Sequence, residues 1–413
     1  MDTSRQKDYL WNTAAGVINA AEAVVMSMIV TRYGHLADAG ILSLAFASGN
    51  VLMTIGKYGG RIYQVTDARK QFSFRMYMIQ RLCSLVLMAV SLTAYIMIAH
   101  YDDRKAHCII LIAYIYMIEA LEDCFWGMLQ AEDRLYAGAQ MFTSRWIVIL
   151  SLFLTGMIIT NDIVLSLLFG ATGGSVVFII WMWLLRKRNM GADLIRSKAV
   201  SKAPSWLLDL FRQTTPLFIA GFCSIFISNI PKFSIDRYMD DEIQACYGFV
   251  AMPVFVIGLL NQFIYQPTVV RLTIEYNDGD IQKFRYDVRR QTMAVTLIAV
   301  LCICGAWIIG VPVLSVIYHT DLSGFRCELV ILQIAGGFLA MSGYFSVLLT
   351  LMRRQKLILY GYLFAVAVGI VILNYAVKIW GTIGASIGYL CVIIMLFGYY
   401  FVIYQRVIRQ KAG

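Results

Sequence analysis

No proline occurs before residue 204; all six (Pro204, Pro216, Pro231, Pro253, Pro267 and Pro312) follow it. Proline inside a helix frees a carbonyl and bends the rod, so Pro216, Pro231 and Pro253 are read as kink points in that part of the chain. Charge is also scarce, at 15% of residues against about 25% in ordinary soluble domains. With 60% hydrophobic residues and a mean hydropathy of +0.69, the 413 residues exclude most soluble architectures, because a globule must keep polar surface toward water. There is no CxxC pair among the nine cysteines, which fall in or beside apolar runs and are read as small buried hydrophobes. No GxxxxGK[ST] loop and no cytoplasmic domain able to hold a nucleotide is present, which argues against ATP hydrolysis.

What the chain has instead is a series of apolar runs about twenty residues long, the length that crosses a bilayer as a helix. They do not alternate apolar and polar residues, which excludes a transmembrane β-barrel. The fold class is therefore all-α, a polytopic membrane protein of about twelve transmembrane helices. The spans are read near 10–31, 40–58, 81–100, 107–129, 141–160, 163–185, 214–233, 246–267, 292–312, 328–351, 357–377 and 382–404. Asp2, Arg5, Lys7 and Asp8 precede the first, which lacks a small-residue cleavage site and is expected to be retained rather than removed as a signal peptide.

With the N-terminus inside, 28 of the 35 Lys and Arg residues fall on the inner side and seven (Arg32, Arg104, Lys105, Lys232, Arg237, Arg326, Lys378) on the outer. Basic loop residues set orientation, so both termini are expected in the cytoplasm. The pI near 9.1 is then a topology signal and not evidence of nucleic-acid binding. The longest loop, 186–213, holds Arg186-Lys187-Arg188, Pro204 and the amphipathic stretch Ser205–Phe211, read as an interfacial helix. It divides the chain into a six-helix lobe at 1–185, a cytoplasmic linker at 186–213 and a second six-helix lobe at 214–413, as in repeat-built transporters. Arg32-Tyr33 after the first span matches Arg237-Tyr238 after the seventh.

Charges in hydrocarbon are expensive and point to function. Glu22 lies in the first span and Glu119, Glu122 and Asp123 in the fourth, the last three sharing one helix face at i, i+3, i+4. Two readings stand: this face lines a wet cavity where an acid takes a coupling cation or proton, or the acids pair with Arg81, Arg145 or another base and hold the bundle together. The seventh span ends at Lys232, Asp236 and Arg237, and Arg32 has the matching place after the first. Such bases either stabilise an anionic group in a central cavity, arginine by bidentate pairing with phosphate, or snorkel to the interface. Asp102-Asp103 and Asp240-Asp241-Glu242 look like metal-binding acids but fall outside, and no metal or cofactor is expected.

Several segments resemble the polysaccharide-biosynthesis flippases, the O-antigen and capsule branch of the multidrug/oligosaccharidyl-lipid/polysaccharide exporter superfamily. The first span opens Trp11-Asn12-Thr13-Ala14-Ala15-Gly16, close to an Asn-x-x-x-Gly start. Arg61-Ile62-Tyr63-Gln64-Val65-Thr66-Asp67 looks like the Arg-x-Tyr-Gln-x-x-Asp motif of one bacterial subgroup. The fourth span leaves through Glu119 to Gly127-Met128-Leu129-Gln130, and Ile235-Asp236-Arg237-Tyr238 is similar to an Ile-Asp-basic element. The eighth ends at Pro267, and Tyr276-Asn277-Asp278-Gly279-Asp280 resembles a Tyr-x-x-Gly-Asp stretch. Ala39-Gly40 departs from the aromatic-Gly of that pattern.

The resemblance implies export of a polyprenyl-diphosphate-linked oligosaccharide from the inner to the outer leaflet of the cell membrane, with Arg61, Tyr63, Gln64, Asp67, Pro267 and Arg271 in cytoplasmic gate loops. It implies the lipid-linked substrate, the bilayer and polysaccharide polymerase machinery as partners, and no enzymatic activity. A cation-coupled drug antiporter of the same superfamily is the nearest rival, favoured by Glu22 and Glu119. A small-solute major-facilitator permease fits twelve spans but lacks its Gly-x-x-x-Asp-Arg-x-Gly pattern in the loop after span two.

Overall fold

A computed structural model describes residues 3–67, 71–188, 205–254, 257–258, 260, 265 and 268–412, and every regular element among them is helical. The chain forms two compact units, Met1–Ile225 and Phe226–Gly413. In the first, α1 (Thr3–Tyr33), α2 (Leu36–Lys57), α4 (Phe74–Ala99), α5 (Asp103–Ala131), α6 (Leu135–Thr160) and α7 (Ile163–Lys187) coincide with the six expected spans, and a short α3 (Gly60–Thr66) follows the second. Helix α5 sits at the centre, packed on α2, α4, α6 and α7. Its stripe Ile109, Ile112, Ala113, Tyr116, Ala120 and Cys124 is fully buried, at the i, i+3, i+4 spacing that gives a helix one inward face. Helix α4 instead leaves Leu82, Val86, Val90 and Met97 exposed. Apolar side chains on an outer face at that density suit a hydrocarbon surround.

Four acids make the turns between helices. The carboxylates of Asp102, Asp162, Asp240 and Asp280 each accept from a backbone N–H three residues on, the N-cap bond that satisfies an otherwise unpaired donor. Asp102 and Asp240, which looked like metal ligands in the sequence, thus serve as caps. Among the described residues no group of three metal-ligating side chains gathers.

Helix α8 (Trp206–Tyr238) starts in the first unit and ends in the second. The interfacial helix expected at Ser205–Phe211 is not a separate element; from Trp206 it forms the first turns of α8. Leu210 is fully buried in a cluster with Phe72, Phe74 and Tyr77, while Leu208 on the same stretch stays exposed. Pro216 and Pro231 fall inside the helical run, while the chain does break at Met252–Pro253, after α9 (Asp241–Ala251). The second unit continues with α10 (Val269–Asn277), α11 (Ile281–Gly305), a π-turn (Ala306–Gly310) running into α12 (Val311–Tyr318), α13 (Arg326–Leu351) and α14 (Gln355–Ala412). The π-turn immediately precedes Pro312, whose missing N–H disturbs the ladder there. Gly381, at φ 58° and ψ −136°, breaks α14 into the last two spans; a side chain would be strained in that conformation.

Among the described residues nine helices are long and apolar enough to cross a membrane, one of them the double α14. Helix α5 is 29 residues long but carries its own intramembrane acids, and span eight lies partly outside the described residues. The expected linker also lies mostly outside them.

Candidate functional site: an intramembrane charge cluster and its cavity

The acids Glu119, Glu122 and Asp123 of α5 meet bases from four other helices. The Lys57 Nζ (α2) lies 3.0 Å from Glu119 Oε1, and Arg145 Nη2 (α6) 3.2 Å from Glu119 Oε2. The Arg145 Nε is 2.7 Å from Glu122 Oε2. The Arg81 Nη2 (α4) lies 2.9 Å from Asp123 Oδ2, and Arg61 Nη1 (α3) 3.4 Å from Asp123 Oδ1. The Trp146 indole donates to Glu119 Oε2 at 3.2 Å, and Arg81 also donates to the Gly56 carbonyl. Arg145 is fully buried and Glu122 nearly so, a placement that holds only when charge is matched and hydrogen-bonded.

Glu22 differs. One carboxyl oxygen accepts from the Tyr116 hydroxyl at 3.0 Å, while the other is buried with no hydrogen-bond partner among the described residues. No base pairs with it there. A buried carboxyl without a base is where a proton or small cation would compensate charge.

A cavity of about 340 Å³ opens beside the cluster, lined by Asn12, Gly16 and Asn19 of α1 and by Lys57, Arg61, Glu119, Glu122 and Asp123. Asn12, Gly16 and Asn19 share a helix face, so the Asn-x-x-x-Gly start points its small and polar residues into this space. A neighbouring cavity of about 420 Å³ again has Lys57, Arg61 and Asp123 in its wall, with Gln130. Exposure differs among the charged residues of the wall, while Arg81 and Arg145 behind them are as buried as the acids, at 3% and 0%. Lys57 and Arg61 are 31% and 27% exposed, against 5% for Glu119, 1% for Glu122 and 13% for Asp123. The wall thus presents Lys57 and Arg61 more openly than the three acids beside them.

The Arg61–Asp67 motif forms α3 and its end rather than a loop. Tyr58 and Gly59, at φ 44° and 65°, make the reversal that starts it. Arg61 also donates to Gln130 at 3.0 Å and sits over the Trp126 ring at 4.4 Å. The Gln64 amide donates to the Cys124 carbonyl. The Tyr63 hydroxyl donates to Gln213 on the first turns of α8. Asp67 accepts from the Gln71 and Phe72 amides and from the Tyr77 hydroxyl, closing the α3–α4 connection.

No family model matches the sequence, and no curated protein matches it. Solved structures do. The lipid II flippase MurJ in an inward closed conformation aligns over 96% of this chain and 87% of its own, with a TM-score of 0.71 at 11% identity. A MATE multidrug-resistance transporter of the MOP superfamily, inward-facing, aligns over 94% and 95%, with a TM-score of 0.68 at 13% identity. The Vibrio cholerae MATE transporter VcmN in its bent form aligns over 100% and 99%, with a TM-score of 0.58 at 13% identity.

The chain has the MATE and MurJ fold.

Within this fold the other sequence-selected residues lie as follows. Arg32 is exposed at the end of α1 in the first unit. Lys232, Asp236 and Arg237 lie on the last turns of α8 in the second, Lys232 and Asp236 half-buried and Arg237 exposed over the Tyr238 ring at 5.6 Å. Among the described residues no carboxylate pairs with Lys232. Arg271 is in α10, 3.1 Å from Asp287 Oδ2, and so belongs to a short helix rather than a loop; Pro267 lies outside the described residues. Sequence reasoning missed Lys57 and Asn19 as site residues, and missed Glu328. That acid is buried at the start of α13 and accepts from the Thr382 hydroxyl at 2.7 Å.

Proposed function

We propose that the protein moves a polyprenyl-diphosphate-linked oligosaccharide from the inner to the outer leaflet of the cytoplasmic membrane, with both termini inside, for assembly of a surface polysaccharide such as O-antigen or capsule. The observation that carries this reading is the sorting of charge in the first-unit cavity. The bases Lys57 and Arg61 face the open space, while Glu119, Glu122 and Asp123 are turned to bases and shielded. A cationic drug would need the reverse. A diphosphate is met by such a lining, arginine offering it a two-pronged fork; Arg32 at the end of α1, and separately Lys232 and Arg237 beside Asp236 at the end of α8, are proposed as further cationic groups for the same head group.

The name of MurJ as a lipid II flippase and the resemblance of the motifs from Asn12 to Asp280 support the same substrate class. Sugars and diphosphate cannot cross hydrocarbon unaided, since each unsatisfied polar group costs several kcal/mol there. Outward movement of negative charge gains about 2.3 kcal/mol per charge per 100 mV of inside-negative potential, so a route without ATP is physically adequate. Glu22 is the site proposed for a coupling proton or cation. Polymerase machinery that consumes the exported unit would be the partner downstream.

The test is export by purified protein in vesicles, following a fluorescent polyprenyl-diphosphate oligosaccharide across leaflets. Arg61→Gln, Lys232→Gln and Arg237→Gln are each expected to reduce export by tenfold or more (about 1.4 kcal/mol), with Arg61→Lys and Arg237→Lys restoring it in part. Full export by the Lys232→Gln, Arg237→Gln double variant would mean those bases only snorkel. Movement of cationic dyes with no movement of the lipid-linked sugar would overturn the flippase reading in favour of the drug antiporter.

A further inference from the structure

A cavity of about 850 Å³ in the second unit shares no lining residue with the charge cluster. It is a groove between α11, α13 and the end of α14. Along α11 its wall is set by Arg285, Arg289, Thr292, Thr296 and Val300, a spacing of four, three, four and four that puts these residues on one helix face. The groove therefore has two zones. One end carries the guanidinium-bearing residues Arg285, Arg289 and, from α14, Arg409; the rest is uncharged and mostly apolar, with Met293 and Leu297 more than half exposed and Phe345 also in the wall.

The three arginines are not spent on ion pairs. Among the described residues no carboxylate pairs with any of them. On the same first turns of α11, Asp287 and Lys283 serve α10 instead, Asp287 beside Arg271 at 3.1 Å and Lys283 beside Glu275 at 3.7 Å. The acids thus go to the α10 side and the groove side keeps only positive charge, at the end that the basic bias assigns to the cytoplasm. Three unpaired guanidiniums over an apolar slot match a molecule with an anionic head and hydrocarbon chains.

We propose that this groove is a binding site for an anionic glycerophospholipid of the inner leaflet, its phosphate held by Arg285, Arg289 and Arg409 and a chain lying along Met293 and Leu297. Basic pockets between transmembrane helices on the cytoplasmic side take such head groups. The site is separate from the substrate cavity, and the proposal stands whether or not the protein is a flippase.

Native mass spectrometry of the full-length protein, titrated with cardiolipin or with phosphatidylcholine of matched chains, tests it. The wild type is expected to retain cardiolipin well above phosphatidylcholine. Each Arg→Gln change should weaken retention about fivefold, and the Arg285→Gln, Arg289→Gln, Arg409→Gln triple variant by on the order of a hundredfold. Thr296→Trp, which fills the apolar zone and keeps every charge, should also lose the lipid. Arg290→Gln with Arg406→Gln, on the same helices but off the groove wall, should retain it. Equal retention of phosphatidylcholine, equal loss in the Arg290/Arg406 control, or full retention by Thr296→Trp would overturn the proposal. So would displacement of cardiolipin by an equal concentration of polyprenyl phosphate, which would assign the groove to a prenyl chain instead.

Discussion

At the scale of single residues, Glu119 concentrates most of the chemistry of the first unit. Its two oxygens receive Lys57, Arg145 and the Trp146 indole at 3.0 to 3.2 Å. Removing one partner of a buried ion pair leaves the others uncompensated and costs about 3–5 kcal/mol. Glu119→Gln is therefore expected to lower the unfolding midpoint of the detergent-purified protein markedly. Adding Lys57→Met should recover part of the loss, because the two residues interact directly and their effects do not add. An unchanged midpoint with export abolished would instead assign Glu119 to ion coupling. The acids themselves were legible in the sequence, since a carboxylate inside an apolar run stands out. Lys57 was not: at the end of a span it reads as one more inner-side base, and only the fold shows it turned back toward α5. Glu328 was hidden by its place in the first turn of α13, where an acid is ordinary at a helix start.

At the scale of elements, length and hydropathy were enough to find the helices, because a bilayer demands about twenty apolar residues in a row and nothing else satisfies the backbone. The short elements were not legible. Gly60–Thr66 reads as a polar loop after span two, yet it forms α3, anchored by Arg61 to Asp123 and Gln130 and by Gln64 to the Cys124 carbonyl. Those bonds run to residues some sixty positions away, a distance at which local propensity says nothing. The extent of the helix that begins after Ser205 was hidden for a related reason. Its apolar residues have the pattern of a lipid-facing helix; Phe72, Phe74 and Tyr77 supply a protein surface for Leu210, while Leu208 remains exposed. Hydropathy cannot tell one apolar neighbour from another. Of the three prolines read as kink points, Pro253 falls at a break and Pro216 and Pro231 lie within the run of α8; Gly381, not singled out in the sequence, breaks a helix through its positive φ.

At the scale of the whole molecule, the basic residues make the clearest statement. Reporter fusions are expected to place both termini, the 59–80 segment and the 186–213 segment in the cytoplasm, on the strength of 28 basic residues against seven. An outer location for 186–213 would invert half the topology and remove the basis for calling the half-buried Lys57 and Arg61 inner-side groups. Fold was thus readable from composition and spacing, whereas the substrate is argued from the sign of a cavity lining, which needs coordinates.

The pairing of α5 with its neighbours also bears on how the protein is made. A charged residue at mid-helix costs about 2.5–3.5 kcal/mol when a segment partitions into the bilayer during synthesis, and α5 brings Glu119, Glu122 and Asp123 together. Its partners emerge from the ribosome at different times: Lys57, Arg61 and Arg81 before it, Arg145 after it. Helix α5 is therefore expected to remain unstably inserted until α6 has been made, and to enter for good as a pair with it. Chains truncated near residue 134 and near residue 162 separate the cases by protease protection. Poor protection of α5 in the shorter chain and full protection in the longer is the expected result, and equal protection would show that Lys57, Arg61 and Arg81 suffice.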